Sequence, residues 1–318
     1  MIERDTLDGL GLRMLVFKIP SGMLGPAAIR QLEAFEPGVT AGVNHAYTLS
    51  QARAPRPRVF ASRKLSWPDQ GCASRFPAIG MIDGPVDIDE RSLAGARVQQ
   101  RIFGGQPSGE SLDHGTTTAA ILIGEGRLRR TQLYSASVIA DYRQRNQVAS
   151  VDNLLRALNW MKISRVRLVN ISLEGPYNRL LDRGFQQALG DGMIVVASVG
   201  NGGPQSPPRF PASFAGVVGI TAVDAGNAIY SSAARGGQVD FAAPGVDVFV
   251  PTDAGGRYVT GTSVAAPFVT AIIAAQSSPR DSVKSITAGL ARSSVDLGVR
   301  GRDTIYGSGL ARLAATCG

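Results

Sequence analysis

The stretch Gly261-Thr262-Ser263-Val264-Ala265-Ala266-Pro267 places a serine between a glycine and the start of an apolar run. Val259 and Thr260 before it are β-branched residues typical of strands, and Gly261 allows a tight bend. Because Pro267 is tolerated without a kink only in the first turn of a helix, the helix is expected to begin close to Ser263. The free N–H groups of a helix start favour a negatively charged oxygen at that position.

Ser263 alone allows two interpretations. A serine at a helix start most commonly caps the helix, which is the simpler interpretation. The alternative is a nucleophile, because the same N–H groups would stabilise the oxyanion that forms when a serine attacks a carbonyl group. The rest of the chain decides between them.

The composition indicates a globular protein of one large or two smaller domains. The chain has 318 residues, of which 44% are hydrophobic and 18% charged, with a net charge of +8. Basic residues are spread along the chain without an aromatic-interleaved basic motif, so we expect a solvated basic surface and no nucleic-acid partner. No apolar run reaches the roughly 18 residues of a membrane span, and no signal peptide is visible at the N-terminus.

The chain has two cysteines, Cys72 and Cys317. This number excludes a disulfide-rich scaffold and a metal site made of cysteines alone. One disulfide between the two and a pair of free thiols both remain open.

Residues 1–52 form a small α+β unit in the sequence pattern. A strand is predicted over 12–19, a helix over 27–35 and a second strand over 39–49. A unit with so few elements buries little apolar surface. We therefore expect it to be stabilised by contacts with the neighbouring domain. Residues 53–75 are assigned as linker and lead-in, since the segment 51–59 is basic, rich in proline and typical of accessible chain.

Residues 76–318 form the main domain, in which apolar strands alternate with helices. This alternation predicts a parallel sheet covered on both faces, with its functional site at the carboxyl ends of the strands. Strands are predicted over 78–82, 135–140, 166–171, 193–199 and 217–223, and helices over 151–161 and 179–189.

Three further residues join Ser263 as candidates. Asp83 follows the first strand of the main domain, and Asn201 follows the strand over 193–199. His114 precedes small and apolar residues typical of a packed helix, and His45 is the chain's other histidine. Each has a simple structural alternative, a turn former or a buried histidine. Together, each at a strand end or helix start, they favour a catalytic site.

At this point the sequence resembles the subtilisin-like serine protease family (peptidase S8), over roughly residues 76–312. The family implies a three-layer α/β fold with a mostly parallel central sheet, and the Asp, His, Ser order is the one known for subtilisin. The motifs that carry the resemblance are Ile82-Asp83-Gly84, His114-Gly115-Thr116, Asn170-Ile171-Ser172-Leu173, Gly200-Asn201-Gly202 and Gly261 to Pro267.

The resemblance implies a serine endopeptidase that works through an acyl-enzyme. Ser263 would attack the peptide carbonyl, and His114 would take its proton and return it to the leaving amine. Asp83 would hold the imidazole, and Asn201 with the Ser263 N–H would stabilise the oxyanion.

By the same resemblance, two segments line the substrate cleft as extended backbone, and a peptide would pair with them as an added strand. They are Ser172-Leu173-Glu174-Gly175 and Ala197-Ser198-Val199-Gly200. Glu174 departs from the family pattern and would either favour basic substrate side chains or point to solvent. The family's calcium loops are not recognisable, so no metal or cofactor is assigned, although calcium is possible by family analogy.

The N-terminal unit resembles the last part of a subtilisin-type propeptide. The resemblance implies a zymogen in which this unit assists folding, inhibits the cleft as an intramolecular partner and is cut off between residues 50 and 63. Family analogy also implies protein or peptide substrates, a monomer, and export to the periplasm or the outside, with the cytoplasm as the alternative.

The main rival function is a catalytically silent or permanently self-inhibited pseudoprotease that acts as a binding module. The presence of all four catalytic residue types favours an active enzyme, because a silent site need not keep them. A basic protein that binds nucleic acid or another polyanion is a third class, and it would bind in a salt-dependent way.

Overall fold

A computed structural model of the chain describes residues 2–49, 60–105, 109–142, 146–253, 255–314 and 317. The basic, proline-rich segment 51–59 of the predicted linker lies outside them. The helices are α1 (Gly25–Phe35), α2 (Ala61–Lys64), α3 (Gly109–Ile123), α4 (Val151–Ile163), α5 (Arg179–Gly190), α6 (Thr262–Gln276) and α7 (Val283–Ser293).

The strands of the N-terminal unit are β1 (Glu3–Leu7), β2 (Leu12–Val16) and β3 (Ala46–Leu49). Those of the main domain are β4 (Cys72–Ala73), β5 (Ala78–Asp83), β6 (Arg97–Ile102), β7 (Leu128–Arg129), β8 (Gln132–Ser137), β9 (Ile139–Tyr142), β10 (Asn146–Ser150), β11 (Leu168–Ile171), β12 (Leu173–Glu174), β13 (Ile194–Ser198), β14 (Val218–Val223), β15 (Phe241–Pro244), β16 (Val248–Val250) and β17 (Arg257–Val259).

The central sheet has seven strands in the order β15-β14-β13-β11-β5-β8-β6, and every neighbouring pair is parallel. Its middle strands are buried on both faces, which explains their continuous apolar sequences. The predicted α/β class with a parallel central sheet is confirmed.

Alternate residues of the strands enter two separate cores. On β13, Ile194 and Val196 pack with α3, α6 and α7, whereas Val195 and Ala197 pack with α4 and α5. The sheet therefore lies between two helical layers, as the predicted three-layer architecture requires. The carboxyl ends of β5, β11 and β13 reach the same edge of the sheet.

Several strands of the main domain differ from the prediction, and the central-sheet strand β15 is absent from it. The edge strand β6 was not predicted, because its half-exposed, largely polar sequence has no apolar run. The single strand expected over 135–140 is divided into β8, which pairs with β5 in the central sheet, and β9, which pairs with β10 in another sheet.

The N-terminal unit begins with a β1–β2 hairpin whose short 3₁₀ turn, Asp8–Leu10, packs against the main domain. Leu7 and Leu10 are 1% exposed and belong to the core that contains α4 and α5. No residue of α1 is buried. The strand expected over 39–49 is regular only at β3, which leaves the unit to form antiparallel pairs with β10 and β12.

A disulfide joins Cys72 to Cys317, with 5.4 Å between their Cα atoms, and the alternative of free thiols is wrong. It attaches the C-terminal end to β4, at the start of the main domain. Within the described ranges, no helix is both long and apolar enough to span a bilayer.

Candidate active site

Asp83 and His114 form a buried pair at the carboxyl end of β5. Asp83 is fully buried and His114 is 2% exposed, with 2.5 Å between Asp83 Oδ1 and His114 Nδ1. The Gly84 N–H donates to the same oxygen at 2.6 Å, and the Thr118 hydroxyl donates to Oδ2 at 3.1 Å. The carboxylate is thereby fixed where it can accept a hydrogen bond from the Nδ1–H tautomer of the imidazole.

Close backbone packing sets the position of His114 on α3. A Cβ atom added to Gly115 would lie 2.1 Å from the Pro85 carbonyl oxygen and 2.5 Å from that of Gly84. Only glycine therefore allows α3 to approach the turn after β5 this closely. Thr118 lies one helical turn after His114, on the same face, so that both side chains reach Asp83.

Ser263 lies in the first turn of α6 and is 1% exposed. The Ser172 hydroxyl donates to the Ser263 carbonyl oxygen at 3.0 Å, and the Asn170 amide donates to that hydroxyl at 2.9 Å. The Thr270 hydroxyl in turn donates to Asn170 Oδ1 at 3.1 Å. This buried chain of hydrogen bonds attaches the end of β11 to α6 and fixes the backbone that carries Ser263.

Asn201 follows β13, and its amide is oriented by Thr262. Asn201 Oδ1 accepts the Thr262 N–H at 3.0 Å and the Thr262 hydroxyl at 2.9 Å. Its Nδ2 is buried and finds no hydrogen-bond acceptor among the described residues. A buried donor without an acceptor is rare and costly, and here it lies beside the residue that precedes Ser263. The arrangement suits a donor whose partner arrives with a ligand.

An ion pair that the sequence did not suggest joins the serine and histidine segments. Arg257 on β17 contacts the Asp113 carboxylate at 2.6 Å and donates to the Asp113 carbonyl oxygen at 2.6 Å. Asp113 is the neighbour of His114, and β17 leads into the turn before Ser263. Helices α3 and α6 also share one apolar core, so Ser263 and His114 are carried by elements in direct contact.

The first predicted cleft segment lies at the edge of the site, and its backbone pairs with the chain's own β3. Leu173 is opposite Leu49 and Glu174 is opposite Thr48. Gly175 forms two backbone hydrogen bonds of 2.9 Å with Phe210, which fixes the end of the segment.

The second predicted segment lies mostly inside the sheet. Ala197 pairs with β11 on one side and β14 on the other, and Ser198 pairs with β14, so their backbones are already occupied. The side chains of Ala197 and Val199 pack in the core. Only Gly200, whose N–H donates to the Thr262 hydroxyl at 3.2 Å, comes next to the asparagine. Of this segment, Gly200 alone is well placed to line a cleft.

The opposite edge of the cleft is β10, which sequence analysis missed. Strand β3 lies between β12 and β10 in a four-stranded antiparallel sheet, with Val148 opposite Thr48. The polar sequence of β10 carries no strand signal, so only the tertiary structure reveals this edge. Strands β10 and β12 thus enclose a slot that is one strand wide, and β3 occupies it.

Glu174 does not point to solvent, and that alternative is wrong. The residue is 7% exposed. Its Oε2 accepts from Arg209 Nε at 2.9 Å, and its Oε1 accepts the Asn201 N–H at 3.0 Å. The carboxylate is thus already paired with an arginine of this chain, beside the oxyanion candidate.

No cluster of three or more His, Cys, Asp or Glu side chains that could hold a metal ion occurs in the ranges that the structure covers.

The seven-stranded parallel sheet, with these residues at its carboxyl edge, is the fold of subtilisin-like serine proteases. Comparison with known proteins agrees: residues 67–309 match the subtilase family, peptidase S8, and the chain belongs to that family.

The chain is 29% identical over 214 residues to the minor extracellular protease Epr of Bacillus subtilis, a match of 64% of this chain but 32% of that protein. It is 31% identical over 190 residues to subtilisin BL of Lederbergia lenta, covering 58% of this chain and 67% of that protein. It thus spans about a third of the first relative and two thirds of the second.

Two solved structures share the fold. A lanthipeptide protease has a TM-score of 0.62 at 24% identity, over 76% of this chain and 87% of the other. The prenylagaramide maturation protease PagA has a TM-score of 0.61 at 20% identity, over 75% and 92%.

Proposed function

We propose that the chain is a serine endopeptidase that hydrolyses peptide bonds through Asp83, His114 and Ser263. The observation that carries the proposal is the buried Asp83–His114 pair, 2.5 Å apart, whose histidine lies on a helix that packs against the helix of Ser263. The unpartnered Nδ2 of Asn201 beside Thr262 adds an oxyanion donor. Membership of the subtilase family supports the same assignment.

In the proposed reaction, His114 takes the Ser263 hydroxyl proton as the oxygen attacks the peptide carbonyl carbon. The carbonyl oxygen becomes an oxyanion that accepts from Asn201 Nδ2 and the Ser263 N–H. Collapse breaks the C–N bond, and His114 gives its proton to the leaving amine. Water, deprotonated by His114, then hydrolyses the acyl-enzyme and frees Ser263. These steps use side chains, backbone groups and water, so we propose no catalytic cofactor.

We also propose that residues 1–52 inhibit the enzyme until they are cut off. Strand β3 of this unit lies between β12 and β10 in the manner of a bound peptide, within reach of the segment that holds Ser263. Proteolysis within residues 50–63 would release it. The Cys72–Cys317 disulfide is typical of an oxidising compartment, which supports export. We propose that the exported enzyme is a monomer.

The rival function is a silent or permanently inhibited pseudoprotease that binds peptides in the same slot. It is the weaker candidate, because a protein that only binds peptides has no use for a buried Asp83–His114 pair supported by Thr118.

Hydrolysis of a fluorogenic peptide by the parent, Ser263→Ala and Ser285→Ala tests the function. Ser285 is an exposed serine on α7 and serves as the matched control. We expect Ser263→Ala to lose at least about 10³-fold in kcat, because the nucleophile is gone, while Ser285→Ala keeps the parent rate. Equal rates in all three proteins would contradict the proposal.

Asn201→Ala tests the oxyanion donor separately. We expect kcat to fall about 10²–10³-fold with little change in KM, a range that itself comes from subtilisin. Thr262→Val, which removes the hydroxyl that orients Asn201 Oδ1, should lower kcat by less than Asn201→Ala. An unchanged kcat in Asn201→Ala would remove this residue from the mechanism.

A further inference from the structure

We propose that the Glu174–Arg209 ion pair fills the acyl-side subsite and restricts cleavage to bonds that follow a small, uncharged residue. The acyl-side subsite is the space for the side chain of the residue whose carbonyl group Ser263 attacks. This inference rests on the proposed peptidase function and adds its substrate preference.

The position of the acyl-side subsite follows from the oxyanion donor. When the attacked carbonyl oxygen accepts from Asn201 Nδ2, the side chain of the same residue branches from the adjacent Cα atom. It must therefore enter within one residue length of Asn201 and Gly200. The segment Ser172-Leu173-Glu174 borders this space, since Ser172 is hydrogen-bonded to Ser263 and Glu174 to Asn201.

Two side chains of this protein already occupy that space. A Cβ atom added to Gly200 would lie 2.4 Å from Glu174 Oε2 and 3.1 Å from Arg209 Cγ, so both side chains lie directly against the Gly200 backbone. The Gly175–Phe210 backbone pair holds the two segments together next to the ion pair. The glutamate side chain is 9% exposed and the arginine side chain 28% exposed.

The ion pair excludes large residues because they would have to displace it. Separating a buried carboxylate from its arginine and from the Asn201 N–H is strongly unfavourable. Charged substrate residues are also disfavoured, because a lysine would meet Arg209 and a glutamate would meet Glu174. Glycine, alanine and serine fit without any displacement. The paired carboxylate is thus not free to select basic substrate residues.

The test uses peptides that differ only in the residue before the cleaved bond: Ala, Leu, Phe, Lys or Glu. Active enzyme is counted by fluorophosphonate labelling, so that kcat/KM refers to working Ser263 alone. We expect the parent to cleave the Ala peptide at least about 10-fold better than the Phe peptide. In Glu174→Gly/Arg209→Gly, the ratio of Phe to Ala cleavage should rise at least about 10-fold.

The single variants separate volume from charge. Arg209→Ala leaves the Glu174 carboxylate and should raise the relative rate on Lys, whereas Glu174→Ala leaves Arg209 and should raise the relative rate on Glu. Arg280→Ala, at an exposed arginine, is the control and should keep the parent ranking. Because Glu174 also binds the Asn201 N–H, substitution of Glu174 should lower kcat/KM for all peptides by a similar factor. The ratio of kcat/KM between two peptides therefore reports on the acyl-side subsite alone.

A parent that prefers Phe or Leu, or a double variant with the parent ranking, would overturn the proposal. The peptides' Kd values, measured by calorimetry in Ser263→Ala, give the same comparison without turnover. Tighter binding of the Ala than of the Phe peptide is expected there, and the reverse order would overturn the proposal even in a protein that does not catalyse. Absence of labelling at Ser263 would instead contradict the peptidase function.

Self-processing offers an independent measurement. The linker contains both small residues and arginines, and the mass of the shortened chain identifies the bond that is cut. We expect the cut to follow one of the small residues, Ser50 or Ala52, and a cut after a linker arginine would contradict the proposal.

Discussion

Helices α1 and α6 show how differently the two parts of this molecule are stabilised. Fourteen of the fifteen residues of α6 are buried between the sheet and α3, whereas no residue of α1 is buried. The N-terminal unit also exposes large apolar side chains, such as Phe35 at 89% and Leu24 at 76%. The main domain therefore has its own cores, and the N-terminal unit depends on contacts with that domain.

Contacts of several kinds attach the N-terminal unit, in addition to the pairing of β3 with β10 and β12. Leu7 and Leu10 enter the core beside α4 and α5, Arg156 binds two carboxylates of β1, and the Asn178 amide binds the Val43 carbonyl. Because the N-terminal unit is stabilised by docking onto the main domain, it should dissociate when those contacts are broken. This property suits the proposed role of a removable inhibitor. The predictions below test this difference, with Ser263→Ala as the background wherever self-processing would interfere.

The disulfide should stabilise the main domain alone. It closes a loop of 245 residues that begins after the N-terminal unit. Cys72→Ser/Cys317→Ser should lower the free energy of unfolding in urea by about 2–5 kcal/mol. Hydrogen exchange of residues 3–16 should be unchanged under native conditions, and faster exchange there would contradict the separation of the two parts.

Leu10→Ala should loosen the β1–β2 hairpin from the main domain. Leu10 lies between α4 and α5, and a Cβ atom added to Gly184 would be 3.8 Å from its Cδ1. We expect loss of about 2–4 kcal/mol of docking energy, and hence about 30- to 1000-fold faster hydrogen exchange in β1 and β2. Leu24→Ala, in the same unit but exposed, should leave exchange unchanged, and equal effects of the two changes would contradict the account.

Arg156→Ala should loosen the unit by a smaller amount that depends on salt. Arg156 contacts Glu3, lies 3.2 Å from Asp5, and both carboxylates are more than two fifths exposed. Such pairs contribute about 1 kcal/mol or less. The parent should therefore dock less tightly at high salt, whereas Arg156→Ala should lose most of that salt dependence. A salt response that survives the substitution would point to other charges.

The smallest effect concerns Asp240 in the main domain. Burial raises the pKa of its carboxyl group, although the Gly219 N–H and Arg302 favour the charged form. The folded state thus holds the proton to a higher pH than the unfolded state, so this group's contribution to stability falls as pH rises from the ordinary to the raised pKa. The urea midpoint of the parent should therefore fall with pH over this interval, and that of Asp240→Asn should not. Identical pH dependence of the urea midpoint in the two proteins would contradict the prediction.

Sequence alone predicted the central strands that are buried on both faces, but not the buried strand β15 at the edge of the sheet. Strands β5, β13 and β14 have continuous apolar sequences. Helix α6 begins within the motif Gly261 to Pro267, which is highly specific for the family. Strands β6 and β10 were missed, because edge strands with polar sequences depend on their neighbours for pairing.

The residues of the candidate site that lie in sequence motifs could be predicted. The contacts between residues distant in the sequence could not. Asp83, Asn201 and Ser263 were found from strand ends and a helix start. His114 lies within α3 and not at its start, and its motif His114-Gly115-Thr116 identified it. Thr118 could have been found too, since it lies four residues after His114 on one helical face. By contrast, the pairing of Glu174 with Arg209 joins residues 35 apart in the sequence, and the orientation of Asn201 depends on Thr262, 61 residues away.

The most direct test of the central claim is fluorophosphonate labelling of the parent and Ser263→Ala, followed by intact mass. These reagents phosphonylate a serine hydroxyl that a neighbouring base activates. The account predicts one label on the parent, carried by a chain shortened within residues 50–63, and a full-length, unlabelled Ser263→Ala protein. A folded parent that stays full length and takes no label, with or without its N-terminal unit, would contradict the account and favour the pseudoprotease.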